Sequence, residues 1–385
     1  MSASAADHSW LPDHQLHVAA TLAHVDQTID RVARLTHDYS KAGPLTLTNL
    51  AEGNQSHVTV AAVAPLPLAI PRLIADALTQ LRAAMEHTLY TEVEHRLGRS
   101  MTAQEARCIE MPACASADDF AKWLRHGRRS QLQPLHLGAP LAERIRTLQP
   151  FQRRDSDDHP LRLLVEHTNL AKHRTPAVAA TRLGAIYPDK PHPGLTVALP
   201  LQLRPQAGDG LPLRAGDILA SGPLDARIPI SVMPTVSLQR PHTGVWNIAI
   251  RELEHLEEWV RTSAIPILVT GTRDVTPLPP QLDIMTGHED LRGELANSES
   301  TTAAQRARQR MMAQIARSDL VDLLSGYGSN LSPAAVSTWV HTLDDIAVLQ
   351  KTDRLIRVVR VPTFLLGVMQ ELRDEVRAQA TETGH

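Results

Sequence analysis

The chain of 385 residues is 43% hydrophobic and 21% charged, with a formal net charge of −3 at pH 7. That length allows two or three domains around a sizeable core, and that charge excludes a global attraction to nucleic acid or anionic membrane. Two cysteines, Cys108 and Cys114, exclude a disulfide framework and a four-thiolate zinc site, and no apolar run is long enough for a transmembrane helix.

Aromatic residues make up 3% of the chain, so packing must rest on Leu, Val, Ile and Ala. Only five of the 39 basic residues are lysine, and this arginine bias with abundant alanine fits a high-GC bacterial genome. The N-terminal MSASAADHSWLPDH has neither the basic nor the apolar segment of a signal peptide. A cytoplasmic location with two incidental reduced thiols is therefore expected.

In chain order, residues 13–36 predict an amphipathic helix with Val18, Leu22, Val25, Ile29 and Val32 on its buried face. A short strand over 57–63 leads to the Pro65-Leu66-Pro67 corner. The longest helix follows at 70–97, burying Leu73, Ala77, Leu78, Leu81, Met85 and Leu89. Further helices are expected at 116–126, where Ser116 and Asp119 suggest a cap, at 141–148 and at 161–174. Beyond Pro176, β-like runs at 195–203, 217–220, 228–238 and 245–250 alternate with Gly-Asp turns, and a helix over 251–263 closes the unit. Residues 272–302 are polar, contain prolines and lack a period, which predicts a linker.

These elements predict an α+β protein. Its expected parts are a helical bundle at 1–182, an antiparallel β unit with its closing helix at 183–271 packed on the bundle, the linker at 272–302, and a helical module at 303–385. In that last module, helices at 318–324 and 333–343 followed by a strand-like 355–361 (LIRVVRV) loosely resemble a winged helix. No Lys or Arg lies between Pro333 and Gln350, however, and a DNA reader needs cations on or beside its recognition helix. The arginines at 306, 308, 310, 354, 357 and 360 would have to compensate, so a protein-contact or homodimerisation role is the preferred reading of this module.

The most chemical segment is 161–174 (LRLLVEHTNLAKHR). Arg162, Glu166, Asn169 and His173 fall at i, i+4, i+7 and i+11, within a band about 60° wide on one helical face. Lys172 and Arg174 extend it. The 70–97 helix carries a second constellation, Arg82, Glu86 and His87, with an Arg-x4-His spacing that Arg162 and His167 repeat.

Pro65–Tyr90 (PLPLAIPRLIADALTQLRAAMEHTLY), Leu148–Phe151 (LQPF) and Asn169–Arg174 (NLAKHR) together resemble a widespread group of uncharacterised bacterial proteins. That group has a Leu-Arg-x-x-Leu-Asp-His helix followed by an Asn-x-x-Asp-Lys-His-Arg helix. The resemblance spans about residues 55–265, and this chain departs from it with Glu86 and Ala171 where the group has Asp. The Arg-x4-His spacing is also similar to that of HEPN domains, helical bundles whose ribonuclease members use such a motif.

The HEPN resemblance implies RNA as partner, in bacterial defence or toxin-type regulation. His87 and His173 would move protons at the ribose and the leaving oxygen, and Arg82 would hold the phosphate, with no metal and no cofactor. Glu86, Asn169, Lys172, Arg174, Arg162 and Glu166 would bind substrate. The alternatives are a non-catalytic interaction protein whose polar cluster ties two core helices in register, and a DNA-binding regulator acting through 303–385. A metal site at Asp13, His14, His17 and His24 is disfavoured against solvated histidines. Glu92, Glu94 and His95 read as an exposed helix end, and 251–258 (RELEHLEE) as a solvated face.

Overall fold

The computed structural model describes residues 7–188, 195–197, 212–224, 230–326 and 328–382. The fold is α+β, divided into two compact units at 1–304 and 305–385.

The first unit is built around two long helices, α1 (His17–Lys41) and α2 (Ala69–Leu97). Val18, Leu22, Val25, Ile29 and Val32 of α1 are fully buried, as are Ala77, Leu81, Met85 and Leu89 of α2. Each set recurs at three- and four-residue steps, so both helices bury one continuous stripe. Between them, β1 (Leu45–Glu52) and β2 (Gln55–Val63) form a hairpin that turns through Gly53 and Asn54. The helices that follow are α3 (Ala103–Ala106), α4 (Ala117–Arg125), α5 (Pro140–Thr147) and α6 (Pro160–His173). Ser116 caps α4 as the Ser-x-x-Asp pattern predicts, its hydroxyl accepting from the Asp119 amide at 3.1 Å.

Among the described residues five further strands follow: β3 (Ala179–Pro188), β4 (Thr196–Val197), β5 (Ile218–Pro223), β6 (Ile230–Gln239) and β7 (Trp246–Ile248). They give two antiparallel sheets, ordered β1-β2-β5-β4 and β3-β6-β7. Val60, Ile186 and Leu219 form a small core that joins them. Tyr39 ties this layer to α1, its hydroxyl donating to the Ala64 carbonyl and pairing with Thr181 Oγ1, both at 2.7 Å. Of the expected β-like run at 195–203, residues 198–203 lie outside the described residues. Strands β1 and β3 were not anticipated. Leu47 and Leu50 of edge strand β1 stay exposed, so its alternation does not report a core face.

The closing helix is α7 (Ala249–Trp259), which widens into a π-helical turn at Val260–Ala264 before α8 (Ile265–Thr270). Pro266 has no N–H to offer the preceding turn, which loosens the α-helical ladder there. The expected solvated face of 251–258 is half buried, because Glu252 and Glu257 find cationic partners inside. Glu257 pairs with Arg261 at 2.6 Å. Arg261 also donates to the carbonyls of Leu22, Leu278 and Pro279.

The bonds to Leu278 and Pro279 change the reading of 272–302. The stretch expected to be a linker is docked on the bundle: Leu278, Leu282 and Leu295 are buried in its core. It includes α9 (Leu291–Asn297), where Arg292 pairs with Asp13 at 2.6 Å. A Pro-rich polar segment has no period to reveal anchors that are single, widely spaced leucines.

The second unit contains most of α10 (Ala303–Ser325) with α11 (Pro333–Thr342), α12 (Asp345–Val358) and α13 (Pro362–Glu382). Its core is Ala313, Leu320, Leu324, Val336, Trp339, Val340, Leu372 and Val376, with Val348 and Leu355 from α12. The strand expected at 355–361 is instead the end of α12 and the turn after it. Asp344 caps α12 by accepting from the Ala347 amide at 2.7 Å, and Lys351 and Arg354 reach Glu375 and Glu371 of α13. Capping and tertiary pairing outweigh the β propensity of Leu-Ile-Arg-Val-Val-Arg-Val. Among the described residues this unit has no strand, so the winged-helix likeness does not hold.

Candidate functional site

Helices α2 and α6 pack together, and the predicted polar residues meet along their seam. Arg82 is the centre. Its Nε donates to Glu86 Oε1 at 2.7 Å, one turn along α2, and its Nη1 donates to Thr168 Oγ1 at 2.8 Å and Asn169 Oδ1 at 3.3 Å on α6. Thr168 is fully buried and donates its own proton back to the Leu164 carbonyl. The guanidinium is thereby fixed against α6, its side chain only 13% exposed.

His87 is elsewhere. Five residues on from Arg82, it points about 140° further around the helix, is exposed, and lies beside His17 of α1 with ring centroids 6.4 Å apart. In this fold Arg82 is held against α6, whereas His87 lies beside α1.

The α6 stripe divides into three parts. Arg162 is 3.7 Å from both Glu166 and Asp157. Asn169 joins Arg82. Lys172, His173 and Arg174 are exposed at the C-terminal end of the helix. His173 therefore stands one turn beyond the Arg82 contact.

The opposite flank of α6 holds a second polar system that sequence reading missed. His159 caps α6, its Nδ1 accepting from the Leu161 amide at 3.1 Å, and its ring meets Trp259 edge-on. Burial, with help from Arg153 and His255, lowers its pKa to about 4. His167 is 2% exposed and neither ring nitrogen has a hydrogen-bond partner. Burial first, then the charges of Arg240 and His242, push it down to about 4, so it is neutral at pH 7.

Arg240 lies just after β6. It grips Glu252 of α7 through two bonds of 2.7 and 3.0 Å and also pairs with Asp158. Beside it opens a cleft of roughly 410 Å³, walled by Arg153, Asn247, Arg251 and His255. Arg251 and His255 are one helical turn apart on α7, a spacing that marks a shared face but not what that face adjoins. That adjacency depends on Arg240 and Arg153, which are distant in sequence.

The other expected sites are also resolved. His14 stacks on His95 with centroids 4.0 Å apart and reaches Glu92 at 3.2 Å. Glu92, expected at an exposed helix end, is buried and also paired with Arg96 at 2.9 Å. Among the described residues no three His, Cys, Asp or Glu side chains converge as metal ligands. Cys108 and Cys114 are free, and burial raises the Cys114 thiol to about 11, which keeps it un-ionised and a poor nucleophile. No described helix is long and apolar enough to cross a membrane. Comparison with protein-family models, curated proteins and solved structures finds no match.

Proposed function

We propose that this is an interaction protein whose α2–α6 polar seam is structural. The observation that carries this reading is the division of labour on α2. Arg82 is bound by Glu86, Thr168 and Asn169, whereas His87 sits with His17 on another side of the helix. A ribonuclease centre of the HEPN kind needs the cation and the proton-transfer group to converge on one phosphate. Contacts to partners are assigned to the second unit, where Ile356, Val359, Phe364 and Leu366 are all more than half exposed. A second copy of the chain is the partner to test first.

The experiment is incubation of the purified full chain with structured and single-stranded RNA in EDTA, alongside light scattering over a range of protein concentrations. Intact RNA and self-association that Phe364→Asp abolishes are the expected results. Cleavage lost in His87→Ala or His173→Ala, with an unchanged melt, would overturn the reading.

A second reading rests on a separate observation. Lys172 and Arg174, on either side of His173, are exposed cations without a carboxylate partner among the described residues. That pair suits RNA backbone binding without cleavage, and keeps open the defence or toxin-type role implied by the HEPN likeness. Its measure is RNA affinity against salt: taking away one phosphate-neutralising charge, as Lys172→Ala or Arg174→Ala does, lowers the slope by about 0.7 for single strands.

A further inference from the structure

The cleft beside Arg240 has the charge and shape of an anion site, and no residue in it belongs to the α2–α6 seam. Its lining carries three arginines against two carboxylates. Both carboxylates, Glu252 and Asp158, are taken by Arg240. Arg153 and Arg251 are left as exposed guanidinium groups, and among the described residues neither meets a carboxylate. His255, one turn along α7 from Arg251, adds a third group able to donate.

These donors come from separate parts of the chain. Arg153 precedes α6, and Arg251 and His255 are on α7. A carboxylate accepts best from one coplanar fork, whereas the tetrahedral oxygens of a phosphoryl group accept from several directions and carry up to two charges. The volume of roughly 410 Å³ exceeds what a bare phosphate fills and lies within the range of small-molecule sites. We infer that this cleft binds the phosphoryl group of a small phosphorylated molecule, with Arg153 and Arg251 as its cationic clamp and His255 as a further donor.

Arg240 is a positioning residue in this scheme. Neutralised by Glu252 and Asp158, it holds the end of β6, α7 and the loop before α6 in the arrangement that leaves the other two arginines free. The cleft is independent of the interaction reading above, because it involves different residues and a different ligand.

The test is calorimetric titration and thermal melting of the full chain with inorganic phosphate, then phenyl phosphate, at constant ionic strength, with succinate as the carboxylate arm. Arg153→Ala and Arg251→Ala alter exposed side chains, so their melts without phosphate should match wild type. The expected result is saturable phosphate binding that raises the melting temperature, weakened at least about tenfold in each variant. Tighter binding of phenyl phosphate than of inorganic phosphate would support an organic remainder in the cleft. Equal binding of succinate would overturn the phosphoryl assignment. No saturable phosphate binding, or binding that both variants retain, would overturn the site.

Discussion

Arg240 and Glu252 meet in a two-point contact, Nε to Oε1 at 2.7 Å and Nη2 to Oε2 at 3.0 Å, with Glu252 only 3% exposed. The pair joins the start of α7 to the end of β6, and Asp158 brings in the loop before α6. Removing one partner of such a pair leaves the other charge in a poorly solvated place. Arg240→Ala is expected to cost about 3–5 kcal/mol, and Glu252→Gln less, because an amide keeps one hydrogen bond. Urea unfolding measures both. A loss below about 1 kcal/mol for Arg240→Ala would mean that water reaches Glu252 freely.

Arg82 and His87 should respond in opposite ways to truncation. Arg82→Ala breaks an ion pair and two hydrogen bonds to α6, for an expected loss of about 1–3 kcal/mol. His87→Ala removes an exposed ring and should stay within about 0.5 kcal/mol. Equal, small losses from both would show that the α2–α6 seam is not held by the guanidinium, and would return Arg82 to the pool of residues free to meet a ligand.

Acid should weaken the first unit through two histidines. His159 and His167 both titrate at about 4 in the folded chain, against an ordinary 6.5. Between those values the unfolded chain takes up protons that the folded chain refuses, so stability falls as pH drops from 6.5 towards 4 and is unaffected above 6.5. Each group can remove up to about 3 kcal/mol over that window. His167→Leu should flatten the acid limb and raise stability, since two unpartnered ring nitrogens leave the core. Melting temperatures measured across that range would decide it: an acid limb unchanged in His167→Leu would mean that His167 takes up its proton within the fold.

Periodicity is the part of this architecture that one sequence reveals. The stripes of α1 and α2 are runs of five or six residues whose spacing alone marks a buried face, and all are buried as predicted except Leu73, which is half-buried. Charged residues are harder, because their burial depends on partners that spacing does not announce. Glu92, Glu252 and Glu257 look like solvated face residues, yet each is buried beside an arginine. Arg261 shows why: its acceptor on Leu22 is 239 residues away in the chain. The polar stripe on α6 was visible for the same reason as the apolar ones, but its division among Asp157, Arg82 and solvent was not, since two of those neighbours lie on other elements. The cleft at Arg153, Asn247 and Arg251 gave no signal at all, being assembled from a loop, a strand and a helix.

Gly184 offers a test of the sheet layer. It sits where the register of β3 against β6 shifts between Leu183 and Ala185. A Cβ there would stand 2.4 Å from Thr235 Cγ2 and 2.8 Å from the Met233 carbonyl oxygen. The first clash is with a methyl group, but the second is with backbone in the paired strand and cannot be relieved by a rotamer change. One extra residue resets the alternation of a strand, and beyond it Ile186 is buried against Val60 and Leu219, the seam between the two sheets. Gly184→Ala is therefore expected to cost about 1–3 kcal/mol, and Thr235→Ser in the same chain should recover only part of it. Full recovery would place the whole strain on the Thr235 methyl. No loss in Gly184→Ala alone would mean that the β3–β6 bulge opens at little cost, and the link from β3 to the inter-sheet core would then be weaker than the burial of Ile186 implies.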